Sequence, residues 1–224
     1  MKTLIVHYTP TNVLSRSKAL LDAFRHEIKN SDVEELDLCT DVPDFFTPER
    51  MEAFYARYIL GTATRDTPMF LLAKMDRMTA QLRSADIVVL AFPMHNFSLP
   101  APVKAWFDSV IRGGETFDRQ DGNYVGLMAG KRAVVLVASG GTYRTGSGVG
   151  PWFGPAWEHA VRLAELEFRF MGFSEIHGVL AEGQVIGDAG RSTRFLEEAI
   201  AQVHAIARRL YGSIEARSEP LKAA

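Results

Sequence analysis

Ile87-Val88-Val89-Leu90-Ala91-Phe92 is followed at once by Pro93-Met94-His95-Asn96-Phe97-Ser98-Leu99-Pro100, and then by helical spacing from Pro102 to Arg112. The first six residues are apolar without alternation, the pattern of a parallel strand covered on both faces. Pro102 suits a first helical turn, where its N–H would have had no partner anyway. Strand, loop and helix then recur on both sides. Downstream, Ala133-Val134-Val135-Leu136-Val137-Ala138 reads as a second fully buried strand, Phe153 to Met171 as a helix, Ile176 to Ala181 as a strand and Arg191 to Tyr211 as a last helix. Upstream, Leu4-Ile5-Val6 opens a first strand, and Ser15 to Asn30 is helical, with Leu20, Leu21, Phe24 and Ile28 on one face. Val33 to Leu38 is a weaker, partly alternating strand. Five strands, each followed by helical sequence, predict an α/β, doubly wound parallel sheet between two helical layers.

Two insertions break the rhythm. Residues 40–84 contain Phe45, Phe46, Phe54, Tyr55, Tyr58, Phe70 and several methionines. They read as two extra helices whose aromatic residues are core, with a pocket wall or a dimer seam as the alternative. Residues 113–131 contain Asp121-Gly122, a turn signal between two short strands. There is no internal repeat or linker. A single domain is expected over 1–212, followed by a charged, Ala-rich tail over 213–224 that frays.

Composition excludes several classes. The chain has 224 residues, a formal net charge of −2, 47% hydrophobic and 23% charged residues, so it has the makings of an ample single core and is not a disordered chain. Near-neutrality argues against a nucleic-acid partner. Cys39 is the one cysteine, so no intrachain disulfide forms and nothing points to an oxidising compartment. The N-terminal apolar run is too short for a signal segment, and no 18-residue apolar run exists to span a membrane. A cytoplasmic protein is expected.

In an open parallel sheet, ligands bind beyond the carboxyl ends of the strands, where the strand order reverses. The loops after the first, third and fourth strands carry the residues to inspect. The first, Thr9-Pro10-Thr11-Asn12-Val13-Leu14-Ser15-Arg16-Ser17, lacks the glycine patterns of dinucleotide and P-loop sites. It offers hydroxyls and a guanidinium at a helix start, where free N–H groups and the dipole favour a phosphate. Ser15 as a plain N-cap is the alternative. The second, Pro93 to Pro100, is stiffened by prolines, so its amides suit a flat heterocycle with alternating donors and acceptors. No carboxylate or cysteine stands near His95 to make a triad or a metal site. The third, Ser139-Gly140-Gly141-Thr142-Tyr143, lets backbone approach a ligand closely, or is an ordinary turn. Trp152 and Trp157 read as packing residues, Glu197-Glu198 and Arg208-Arg209 as solvated helix faces, and Cys39 as structural.

These residues carry a resemblance. Pro93-Met94-His95-Asn96-Phe97, with Leu99-Pro100, Lys104, Phe107-Asp108 and Gly114-x-Thr116-Phe117, resembles the FMN-dependent NADH azoreductase family of flavodoxin-like NAD(P)H quinone reductases. The likeness continues through Gly126-Leu127, Gly130-Lys131-Arg132, Ser139-Gly140-Gly141, Met171-Gly172-Phe173, Ala181-Glu182-Gly183 and the Ser-x-Ser at 15–17. It runs through nearly the whole chain. Family members commonly have Tyr where His95 stands, and Ser-Arg-Gly-Gly where this chain has Ala138-Ser139-Gly140-Gly141.

The resemblance implies a flavodoxin-like sheet of order 2-1-3-4-5 with FMN at the switch between strands one and three. It implies that Thr9, Ser15, Arg16 and Ser17 hold the FMN phosphate. Met94, His95, Asn96 and Phe97 would contact the isoalloxazine, with Ser139, Gly140, Gly141 and Thr142 closing the other side. The implied activity is two-electron reduction of quinones and cleavage of aromatic azo compounds. NADH or NADPH would be the donor, in ping-pong order, by a homodimer with sites at its interface. No side chain is assigned a catalytic role, because the flavin carries the chemistry. A flavodoxin-type electron carrier and a non-flavin α/β binding module are the competing readings.

Overall fold

The computed structural model describes residues 1–11, 15–64, 66–143, 154–184 and 189–218, the side chains of 213–218 excepted. Strands β1 (Lys2–His7), β2 (Asp32–Asp37), β3 (Ile87–Pro93), β6 (Arg132–Ala138) and β7 (Glu175–Ala181) form one sheet in the order β2-β1-β3-β6-β7, all pairs parallel. Strands β4 (Phe117–Gln120) and β5 (Asn123–Gly126) form a separate antiparallel hairpin. With that hairpin set aside, the order is the expected 2-1-3-4-5. Its turn places Asp121 at φ 50° and Gly122 at φ 83°, as a two-residue hairpin turn demands.

The helices are α1 (Arg16–His26), α2 (Pro48–Phe54), α3 (Ala73–Ser84), α4 (Ala101–Val110), α5 (Ala160–Phe170) and α6 (Ala189–Ser218). Alternate residues of the central strands enter opposite cores, as period two requires. Val88, Leu90 and Phe92 of β3 meet Leu82 of α3, Trp106 of α4 and Phe168 of α5. Ile87, Val89 and Ala91 meet Phe24 of α1 and Val203 of α6. Burying a side chain such as Phe24 contributes about 1.5–3 kcal/mol.

Several boundaries differ from the expectation. The helix read from Phe153 begins at Ala160, after a single 3-10 turn at Pro155–Trp157, because Pro155 and the extended Gly154 interrupt the helical backbone; Phe153 and Trp152 lie outside the described residues. The first helix stops at His26, short of Asn30, which sits at φ 51°. The second strand ends at Asp37, where the Asp37 carboxylate accepts the Cys39 N–H at 2.8 Å and turns the chain. The last helix does not stop near Gly212 but runs to Ser218.

The 40–84 insertion is partly core. Phe46, Phe54, Tyr58 and Met69 pack on Ala53, Leu72 and Met75, whereas Phe45, Tyr55 and Phe70 are exposed. Arg112, fully buried at the end of α4, fastens the insertion. Its Nε donates to the Ser109 carbonyl at 2.8 Å, and its Nη1 reaches Asp76 and the Tyr58 hydroxyl. Burial pushes the Tyr58 phenol up. Burial also works to raise Asp76, but Arg112 and Arg57 together hold that carboxyl below its usual value. Arg208 and Arg209 are exposed but not merely solvated: Arg208 pairs with Glu27 at 3.0 Å and Arg209 with Glu175 at 2.5 Å, fastening α6 to α1 and β7.

Candidate functional site

The register brings the loops together. His7 of β1 pairs with Ala91 of β3, while Pro93, Ala138 and Ala181 stand level two residues further on. The segments that follow therefore leave the same edge of the sheet.

At the β1 end, Ser15 caps α1, its Oγ accepting from the Lys18 N–H at 3.2 Å and lying 3.1 Å from Ser17 Oγ. The expected N-cap role of Ser15 is thus present. No acidic residue occupies the first turn of α1, so nothing there opposes an anion. Ser17 is buried and Arg16 exposed.

At the β3 end, Met94 N–H donates to the Ala138 carbonyl at 2.8 Å. His95 and Ser98 exchange two backbone bonds of 3.0 Å, closing a turn in which Asn96 has φ 46° and Phe97 has φ 71°. Side chains rarely adopt such values, and a bulky residue held there marks a backbone under external constraint. Part of that constraint is a bond from the His159 N–H to the Phe97 carbonyl at 3.0 Å. The His95 ring stands edge-on to Tyr8 at 5.9 Å.

At the β6 end, the 139–143 loop is zipped to the segment after β7. Ser139 N–H donates to Ala181, Gly183 N–H to Gly141 and Gln184 N–H to Ser139, at 2.9, 2.8 and 3.0 Å. Gly183, at φ 70°, lies so close that a Cβ there would meet the Thr142 methyl at 3.0 Å. Thr142 Oγ1 is buried without a hydrogen-bond partner among the described residues, a condition that costs free energy.

One crevice of about 270 Å³ is lined by Ser15, Arg16 and Ser17, by Met94 and His95, and by Ser139 and Gly140, with Pro10, Thr11, Pro93, Ala138 and Gln184. Asn96, Phe97, Gly141 and Thr142 stand beside it in the same loops rather than on its walls. Thr9 faces away. Its Oγ1 lies 3.3 Å from His7 Nδ1, in a second polar pocket with Lys18, Arg25, Glu35 and Asp37. Gln184 and Glu182 were not singled out as site residues. Their position just past a strand's carboxyl end is the signal that finds them. The donor set suits FMN: hydroxyls, a guanidinium and a helix N-terminus at one end for a phosphate, and stiff, close-packed backbone at the other for a flat polar ring. Among the described residues no group of three or more His, Cys, Asp or Glu could hold a metal ion, and no helix is long and apolar enough to cross a membrane.

A family model described as a flavodoxin-like fold matches residues 1–207. The FMN-dependent NADH:quinone oxidoreductase of Polaromonas naphthalenivorans (strain CJ2) is 32% identical over 181 residues, 79% of this chain and 80% of its own. The protein of the same name from Azospirillum brasilense is 29% identical over 92% of this chain and 98% of its own. Among solved structures, an FMN-dependent NADH-azoreductase from Bacillus anthracis str. Ames Ancestor, in complex with FMN, matches with a TM-score of 0.80 and 27% identity, over 94% of this chain and 99% of that one. With the β2-β1-β3-β6-β7 sheet and the crevice at its switch point, these likenesses show that the chain belongs to the flavodoxin-like family that includes the FMN-dependent NADH:quinone oxidoreductases.

Proposed function

We propose that this chain reduces quinones with electrons from NADH, and cleaves aromatic azo compounds at the same site, with donor and acceptor taking turns in one crevice. As a member of its family it is an oxidoreductase that uses FMN with NADH as electron donor. The observation that carries the reading is the placement of Ser15, Arg16 and Ser17 at the start of α1, on the same crevice as Met94, His95, Ser139 and Gly140.

FMN, when bound, supplies the two-electron chemistry, and the protein supplies binding, orientation and electrostatics. Ser17, Arg16 and the first N–H groups of α1 would hold the phosphate. Met94 and the 95–98 turn would present backbone to one edge of the ring system, and the 139–143 loop would close against it. Thr9 was expected among the phosphate ligands; we now assign it to anchoring the loop through His7. The lone cysteine, exposed Cys39, fits a reducing compartment such as the cytoplasm.

We also propose a single FMN-binding domain over 1–212 and a two-fold dimer. Phe45, Tyr55, Ile59, Leu60 and Phe70 leave the 40–84 insertion with exposed apolar side chains that a second copy would cover. Sedimentation at micromolar concentration is expected to give about twice the chain mass; a fully active monomer would refute the dimer. For the reaction order, NADH varied against a benzoquinone is expected to give parallel double-reciprocal lines. Intersecting lines would show that both substrates bind together and would overturn the single-site order.

A further inference from the structure

A half-exposed tryptophan is uncommon, because its large apolar face gains by burial and its N–H can still reach a partner. Trp157 is 50% exposed. It closes the 3-10 turn Pro155–Trp157, with its N–H bonded to the Gly154 carbonyl at 3.0 Å. Two residues later, the His159 N–H is fastened to the Phe97 carbonyl at 3.0 Å. The indole is thus tied to the 95–98 turn rather than hung on a free loop. Its ring meets the Phe97 ring at 5.5 Å and 59°. Phe97 is itself held at φ 71°, and strain of that kind persists only where surrounding contacts impose it and tends to mark working surfaces. Met94 and His95, at the base of the same turn, line the crevice.

We propose that Trp157, supported by Phe97, is a specificity-determining residue: an aromatic platform beside the crevice that stacks the outer ring of a fused-ring, electron-poor acceptor. The inference rests on the reductase reading of the crevice and names the acceptor class it prefers. An indole face is electron-rich and a quinone ring electron-poor, so the two attract beyond the burial of their area. On this proposal a one-ring quinone gains little from the platform, and a fused-ring quinone, being longer, gains more.

The test compares wild type, Trp157→Ala and Trp157→Phe, all loaded with FMN, on 1,4-naphthoquinone and benzoquinone. Two readouts are taken: KM and kcat with NADH, and naphthoquinone binding without NADH, followed by quenching of protein fluorescence. Trp157→Ala is expected to raise KM and Kd for naphthoquinone roughly 3- to 10-fold, the size of one lost aromatic contact. Benzoquinone KM, kcat and FMN affinity stay unchanged, and Trp157→Phe recovers most of the loss. Unchanged naphthoquinone KM and Kd in Trp157→Ala would overturn the platform. So would an equal rise for both quinones with weakened FMN binding, which would make Trp157 a structural prop. A wild-type enzyme that binds naphthoquinone but never oxidises NADH would refute the reductase reading, while the binding arm would still decide the platform.

Discussion

The backbone N–H of Tyr143 donates to a carboxylate oxygen of Glu182 at 2.6 Å, tying the loop after β6 to the segment after β7. Both residues are buried. Glu182→Ala leaves that N–H without this acceptor, a loss of about 1–3 kcal/mol for a bond to a charged group. The 139–143 loop loosens, so a fluorescence titration is expected to show weaker FMN binding. Glu182→Gln keeps an acceptor oxygen and is expected to recover most of the affinity. Wild-type affinity in Glu182→Ala would show that the loop does not depend on this bond.

The phosphate end makes a separate claim. Arg16→Ala and Ser17→Ala are each expected to weaken FMN binding by about 1–3 kcal/mol, the range for a bond to a charged partner. Riboflavin, which lacks the phosphate, is expected to bind wild type poorly and to be indifferent to Arg16→Ala. Equal affinity for FMN and riboflavin would remove the assignment.

Two glycines should respond with opposite sign. A Cβ on Gly126 would fall 2.2 Å from the Gly172 nitrogen, backbone that cannot swing aside, so the β4–β5 hairpin must move. Gly126→Ala is expected to destabilise by about 1–3 kcal/mol, as overpacking does. Gly212 lies within α6, and a Cβ there meets nothing within 4 Å. Gly212→Ala is expected to stabilise by about 0.5–1 kcal/mol, because alanine loses less backbone freedom in a helix. Urea midpoints check both.

Glu27 should contribute to acid stability. Arg208 above all, then His204 at 2.7 Å, hold its carboxyl down at about 2 against an ordinary 4.5. A carboxyl depressed on folding stabilises the fold above its unfolded value, and that contribution is lost as pH falls through the folded value. Glu27 therefore adds stability at neutral pH that disappears between about 4.5 and 2. Glu27→Gln is expected to be less stable at pH 7 and to lose less stability over that acid window, as followed by urea midpoints. An unchanged slope would refute the role.

The strands at the sheet centre were legible because β3 and β6 are covered on both faces, which leaves a continuous apolar run. The hairpin was legible because Asp121-Gly122 supplies the positive φ that its turn needs. Helix ends were less so, since Pro155 breaks a pattern whose apolar spacing continues upstream. The Arg112–Asp76–Tyr58 cluster was not legible, because it joins residues 36 and 54 positions apart and no local periodicity marks it. Trp157 read as packing, and it does pack on Phe97, but its half exposure was not legible because no local spacing marks which tryptophan reaches the surface. The contact of Thr9 with His7 was not legible, because loop membership does not fix a side chain's direction.

The central claim, that this one chain carries electrons from NADH to a quinone through FMN in the switch-point crevice, is tested most directly by absorbance without oxygen. The FMN-loaded protein is mixed with NADH and then with benzoquinone. NADH alone is expected to bleach the yellow band in full, and benzoquinone to restore it in a single phase. A yellow band that NADH leaves untouched until a separate reductase is added would contradict the claim and point to an electron carrier on the same fold.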